Sequence, residues 1–344
     1  MDEKYISIFV LGFLLISIGT PAVASTGSLE SEEEQEIVIE DATGKMIEFE
    51  SAPDRIITFG PASTEILFHI DEGERVIATD DFSDHPEEVK DLPKVGGFFE
   101  PDYEEMVNLS ADVIVTRASN QDIIQDLRDL NENVVATHGN TLEDVYRDIE
   151  LLGRMCGLGE QAEQTADELE STMQKITEDR EDIPRDDRVA VLFIVGIDPI
   201  YVPGEGTFQH TLIERAGGNN IARNKTGWAT IEEETIIAED PDMIVTSENL
   251  REDLNDLIET DPWQEISAVE NDNVFFVNGD EYSRPGPRLI DAQREITNLT
   301  VQVEADLEEN QEAIPMINPI AVPVVAVILA FIYSLKTKKE SDGK

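Results

Sequence analysis

The sequence predicts an α/β protein of two Rossmann-like lobes joined by a long rigid helix, with a ligand cleft between the lobes. Three observations carry that expectation. Short apolar runs alternate with helical patterns over residues 55–137 and again over 188–307, the rhythm of βα units around a parallel sheet. A strand phrase recurs in both halves, Ser110-Ala-Asp-Val-Ile-Val115 against Asp240-Pro-Asp-Met-Ile-Val245. Between the halves, residues 141–181 hold no proline and keep apolar side chains at helical spacing. Leu142, Val145, Ile149, Leu152, Met155 and Leu158 are followed, past Gly157 and Gly159, by Ala162, Ala166, Leu169, Met173 and Ile176. A helical connector this regular, bent at the glycines, holds two lobes at a set distance and is not a flexible linker.

In chain order, residues 36–49 alternate around Asp41-Ala-Thr-Gly44 and predict a β-hairpin. Residues 55–99 organise the first lobe. A strand over 55–59 breaks at Gly60-Pro61, a helical pattern follows Ser63-Thr64-Glu65, and a second strand covers 75–78. A long loop then carries Phe82, His85, Phe98 and Phe99. Such a unit brings the turn and the loop to one edge of a parallel sheet, as half of a ligand site. Helix 103–109, strand 112–116, helix 121–130 and strand 133–137 complete the lobe. The second lobe reads as strand 188–194, helix 207–215 ended by Gly217-Gly218, helix 231–238 and strand 243–246, then helix 250–258, strand 274–277 and a closing helix 287–307. The expected boundaries are 36–140 for the N-terminal lobe, 141–182 for the linking helix and 183–309 for the C-terminal lobe.

Composition narrows the function. Among 344 residues, 75 are acidic and 25 basic, a formal charge of −50. That excludes nucleic acid as a partner, because phosphates need Lys and Arg to neutralise them. Hydrophobic residues still make up 40%, so the expectation is a folded core under an acidic, hydrated surface, as in a salt-loving organism. In about 1 M salt the Debye length is about 3 Å and the self-repulsion is largely screened. Cys156 is the single cysteine, which excludes an intrachain disulfide and a thiolate metal cluster and leaves it as a small buried hydrophobe. His69, His85, His138 and His210 have no metal-ligand spacing.

The ends predict targeting. Residues 1–24 have the apolar run and the Ala22-Val23-Ala24 site of a signal peptide, and 25–35 form an acidic spacer. The apolar run 314–335, followed by Lys336, Lys338 and Lys339, predicts a single-pass C-terminal transmembrane anchor. Residues 336–344 would then be a cytoplasmic tail, with the body at the extracellular face of the cell membrane. Asn108, Asn224 and Asn298 begin glycosylation-type triplets.

Several phrases then acquire a common meaning. Residues 36–309 carry Arg55-Ile-Ile with Pro61-Ala-Ser-Thr-Glu65, Lys94-Val-Gly-Gly97, Gly204-Glu-Gly-Thr207 leading to Ala216-Gly-Gly-Asn-Asn220, Pro241-Asp-Met-Ile244 and Gly286-Pro-Arg288. In that order the chain resembles the substrate-binding proteins of ABC importers for cobalamin and iron chelates, whose two lobes are bridged by a helix. The resemblance implies a monomer with no intrinsic cofactor and no catalysis. It would hand its ligand to a permease dimer driven by cytoplasmic ATPase subunits. It also implies one exposed docking glutamate per lobe, at positions similar to Glu65 and Glu234. A carboxylate at a helix start suits paired hydrogen bonds from arginine. Glu232, Glu233 and Glu234 are adjacent, and a Thr230-Ile-Glu-Glu233 capping box would occupy Glu233 and leave Glu234 free.

For the ligand, the resemblance implies cobalamin, a large and nearly neutral corrin rimmed by amides, between aromatic walls. Phe82, Phe98 and Trp228 stand where cobalamin binders have aromatics, and Asp280 and Arg284 where they have polar partners. Phe99 and Tyr201 are further candidates. Arg117 departs from the pattern, standing where those binders can have an aromatic residue. The alternative is a ferric siderophore or haem, for which Arg117 and Arg284 would supply positive charge. A different class, a hydrolase using Glu65 and Glu234 as an acid/base pair across the cleft, would need burial and one raised pKa, whereas both glutamates sit at helix starts expected to be exposed.

Overall fold

The structure is a computed structural model that describes residues 36–180 and 182–313. The expected signal peptide, spacer, C-terminal anchor and tail lie outside the described residues.

The chain begins with a hairpin of β1 (Ile37–Glu40) and β2 (Met46–Phe49). Asp41 closes it. One carboxylate oxygen accepts from the Thr43 and Lys45 amides at 2.8 and 3.1 Å, and the other accepts from Arg128 and the Ala136 amide at 3.2 Å. The turn chemistry of a single aspartate thus fastens the hairpin to the first lobe.

That lobe is a parallel sheet built from β3 (Ile56–Phe59), β4 (Val76–Thr79), β5 (Val113–Arg117) and β6 (Val134–Thr137), in the order β4-β3-β5-β6. Helices α1 (Pro61–His69), α2 (Tyr103–Asn108) and α3 (Gln121–Asp129) make the crossovers. Every residue of β3 and β6 is buried, which explains why these strands read as unbroken apolar runs rather than alternating ones.

The second lobe has β7 (Val189–Ile194), β9 (Gly218–Asn220), β11 (Met243–Ser247) and β12 (Val274–Val277) in the order β9-β7-β11-β12, all parallel. A small antiparallel ladder of β8 (Tyr201–Pro203) and β10 (Trp228–Thr230), not foreseen from periodicity, stands beside it. Helices α6 (Phe208–Arg215), α7 (Glu233–Glu239), α8 (Arg251–Ile258), α9 (Gly279–Ser283) and α10 (Leu289–Ala313) follow. The duplication reaches single hydrogen bonds. Thr116 on the third strand of one sheet donates to the Phe59 carbonyl at 3.1 Å, and Thr246 on the third strand of the other donates to the Ile194 carbonyl at 2.9 Å.

The expected single linking helix is two helices, α4 (Leu142–Met155) and α5 (Gly159–Thr177). A capping box starts α4: Thr141 accepts from the Asp144 amide at 3.1 Å while Asp144 accepts from the Thr141 amide at 3.0 Å. Gly157, at φ +81°, separates the two helices in a conformation that costs glycine little. They pack so tightly that a Cβ added at Gly153 would overlap the Cβ of Ala162. Their buried faces join one face of each sheet and α10 in a single apolar core, and the opposite face of each sheet has a core of its own. Cys156 belongs to the shared core, and burial pushes its thiol up to about 12, consistent with an inert packing role.

Candidate ligand cleft

The C-terminal ends of parallel strands gather at the cleft, where α/β sheets bind ligands. A cavity of about 390 Å³ is lined by Arg117 from the end of β5, Phe193 from β7, Ser247 from β11, Asp280 from α9, and Gln209 and Trp228 from the second lobe. Three of the sequence candidates, Arg117, Trp228 and Asp280, therefore share one cavity. Ser247 and its neighbour Asn249 were missed. The duplicated strand phrase could have found Ser247, because Ile244-Val-Thr-Ser247 lies over Ile114-Val-Thr-Arg117. Gln209 was hidden inside an ordinary helical pattern.

Each lobe presents an aromatic surface. In the first, Phe82 is 50% exposed and stacks on Phe98 with ring centroids 5.6 Å apart and an interplanar angle of 11°. Phe98 in turn meets the core residue Phe59 edge-on at 5.4 Å. In the second lobe, Trp228 is 40% exposed and lies against Phe208 at 6.2 Å. Phe99, at 96% exposure, joins neither surface. Tyr201, also exposed, sits on the β8–β10 ladder. Tyr201, Phe82 and Phe98 are all absent from the lining of the cavity, so the Phe82 platform stands outside it.

The loop that presents Phe82 is pinned from below. Buried Asp80 accepts from the Phe82 amide at 2.8 Å, the Gly60 amide at 2.9 Å and the Ser83 hydroxyl at 2.6 Å. Burial raises its pKa above the usual carboxylate value despite those donors. Lys94 adds bonds to the Thr79 hydroxyl at 2.8 Å and the Ser83 carbonyl at 2.6 Å.

Arg117 is the cation inside the cavity. It donates to the Gly139 carbonyl at 2.7 Å and to Asn140 at 3.3 Å, its Nε is buried without a hydrogen-bond partner, and burial lowers its pKa. Among the described residues no carboxylate lies within ion-pair distance of it.

Two expectations need correction, the exposure of Glu65 and the capping box at Glu233. Glu65 is not an exposed carboxylate: it is 4% exposed and held by Arg288, Nε to Oε2 at 2.9 Å and Nη2 to Oε1 at 2.6 Å, with Arg284 Nη1 at 3.3 Å from Oε1. Segment 284–288 of the second lobe folds over the start of α1 and covers it. Arg284 is likewise absent from the lining of the cavity that holds Asp280. It bonds Asp84 at 2.6 Å and the Phe82 carbonyl at 3.2 Å, and pairs with Asp280 at 2.8 Å. Glu234 is exposed in the first turn of α7 as expected. Glu233 is engaged, but by Trp263, whose indole Nε1 donates to it at 2.7 Å, and no capping box forms at α7.

The comparisons with known proteins agree with this architecture. The family model described as periplasmic binding protein matches residues 56–281. An uncharacterized ABC transporter substrate-binding lipoprotein of Bacillus subtilis is 28% identical over 84% of this chain and 94% of its own. A vitamin B12-binding protein of Vibrio cholerae is 25% identical over 71% of this chain and 87% of its own. Among solved structures, a "possible" iron-binding (periplasmic solute-binding) protein of Staphylococcus epidermidis superposes with a TM-score of 0.64 at 26% identity, covering 72% of this chain and 99% of that one.

The expected position on a single-pass C-terminal anchor at the cell surface is overturned. Among the described residues no helix is long and apolar enough to cross a membrane, and these relatives are described as a lipoprotein and a periplasmic solute-binding protein. The hydrolase alternative falls too, since the relatives bind substrates for transport and Glu65 is neutralised by two arginines. The chain belongs to the periplasmic binding protein family and is a substrate-binding protein, not an enzyme.

Proposed function

We propose that this protein captures cobalamin in the cleft between its lobes and delivers it to the permease of an ABC importer with its ATPase subunits. The observation that carries the reading is the pair of exposed aromatic surfaces, Phe82 on Phe98 from one lobe and Trp228 on Phe208 from the other. A nearly neutral macrocycle rimmed by amides needs broad apolar walls with few fixed polar groups. Arg117, Gln209, Ser247 and Asn249 supply those polar groups here, and the likeness to the Vibrio cholerae vitamin B12-binding protein supports the same ligand. Glu234 is the carboxylate left free for permease docking. Glu65 has both oxygens bonded to Arg288.

The second reading is an anionic iron chelate, a ferric siderophore or haem. Arg117 favours it, because a buried guanidinium without a carboxylate partner suits a ligand carboxylate. Titration with cyanocobalamin, haemin and ferric citrate, followed by tryptophan fluorescence, separates the two. Saturable quenching by cyanocobalamin alone is the expected result. Tight binding of an iron chelate with no response to the corrinoid would overturn the first reading in favour of the second.

A further inference from the structure

We infer that Arg284 is a positioning residue: together with Arg288 and Glu65 it forms a clasp that joins the two lobes and holds the Phe82 platform in place. The inference rests on the reading above that Phe82 and Phe98 face the ligand.

Three acceptors and one ion-pair partner converge on the Arg284 guanidinium. Nη1 donates to Asp84 at 2.6 Å and Glu65 at 3.3 Å, and Nη2 donates to the Phe82 carbonyl at 3.2 Å and pairs with Asp280 at 2.8 Å. The three acceptors belong to the first lobe, and two of them to the loop whose aromatic ring is exposed. The Arg284 side chain is 11% exposed, so its planar fork is already filled and shielded. Guanidinium geometry matters here, because a lysine ammonium is a point charge on a flexible stem and cannot hold that set in one plane.

Glu65 supplies the counter-charge. Arg288 binds both of its oxygens, and Arg284 approaches one of them. Nearby, Pro285 lies against Gly139, and Gly286 against Ala62 and Glu65. The Phe208 amide also donates to the Asn140 carbonyl at 3.0 Å, a second polar tie between the lobes. Since α4 and α5 already pack in a core shared by both lobes, the clasp works at the cleft rim. There it orders a loop that Asp80 and Lys94 hold only from the side of the first lobe. Ordering the loop before the ligand arrives reduces what binding must spend on ordering it.

Hydrogen exchange of the ligand-free protein, read by mass spectrometry, tests the clasp without reference to any ligand. In Arg284→Gln, exchange over residues 81–86 should rise at least about tenfold while β3 and β5 stay protected. Arg284→Lys should behave similarly, and Arg288→Lys, which keeps one charge on Glu65, should stay nearer the native rate. Unchanged exchange over 81–86 in both Arg284 variants would overturn the inference.

Cyanocobalamin affinity is the second readout. Arg284→Gln and Phe82→Ala should each weaken it about tenfold, and the double variant should be no weaker than Phe82→Ala alone. Additive losses would mean that Arg284 touches the ligand directly, and would also overturn the proposal. If the native protein does not bind cyanocobalamin, the ligand reading fails, and the exchange measurement still decides for or against the clasp.

Discussion

Arg288 meets Glu65 fork to fork across the lobe boundary, with two parallel bonds of 2.9 and 2.6 Å to a carboxylate that is nearly out of water. Removing one member of a buried pair leaves the other charge uncompensated, at a cost of about 3–5 kcal/mol. Glu65→Ala should therefore lower the urea midpoint sharply at an unchanged slope. Glu65→Leu combined with Arg288→Met should recover much of the loss, because it removes both charges together. A native-like midpoint for Glu65→Ala would be incompatible with the burial described.

Glu233 and Glu234 are neighbours with opposite expectations. Trp263 is fully buried and its indole N–H ends on Glu233. Glu233→Ala should cost about 1–3 kcal/mol for the orphaned donor. Glu234→Ala, an exposed change, should stay within about 0.5 kcal/mol of native. Chemical denaturation of the two variants side by side checks the contrast, and equal losses would refute it.

Gly153 allows α4 and α5 to approach closely. Gly153→Ala improves helix propensity by about 1 kcal/mol, but the new methyl collides with Ala162 and overpacking costs about 1–3 kcal/mol. A lower thermal midpoint is expected for Gly153→Ala. Adding Ala162→Gly should restore part of it, which a change in propensity alone would not do.

His138 gives stability a pH dependence. The hydrogen bond from its Nδ1 to Asp148 at 2.7 Å raises its pKa above the usual 6.5, and burial opposes this only in part. A raised folded-state value favours the protonated form. The stabilisation is thus complete below about 6.5 and fades as pH rises through the folded-state value. The difference in thermal midpoint between native protein and His138→Gln should be larger at pH 6 than at pH 9. A difference that grows with pH would reverse the assignment.

The cleft was legible only in part. Arg117 and Ser247 end equivalent strands, and the repeated strand phrase aligns them. Asp280 and Trp228 came from the resemblance to known binding proteins, and the cavity brings them together with Arg117. Phe99 illustrates the limit, because an aromatic residue next to a platform residue looks like part of the platform until the fold turns it outward. The break between α4 and α5 was legible in part. Gly157 and Gly159 marked a bend, but apolar spacing continues in phase through them and so does not record that the helix stops and restarts there.

By itself the sequence determined the longer apolar strands, their βα rhythm and the likeness of the two lobes, because these follow from local apolar periodicity and turn residues, while the short strands 201–203, 218–220 and 228–230 carried no such signal. The tertiary structure alone decided which charges meet. Glu65 stands 219 and 223 positions from Arg284 and Arg288, and its helix-start position suggested a free carboxylate. Ion pairing depends on distance in space and on loss of water, and spacing along the chain encodes neither.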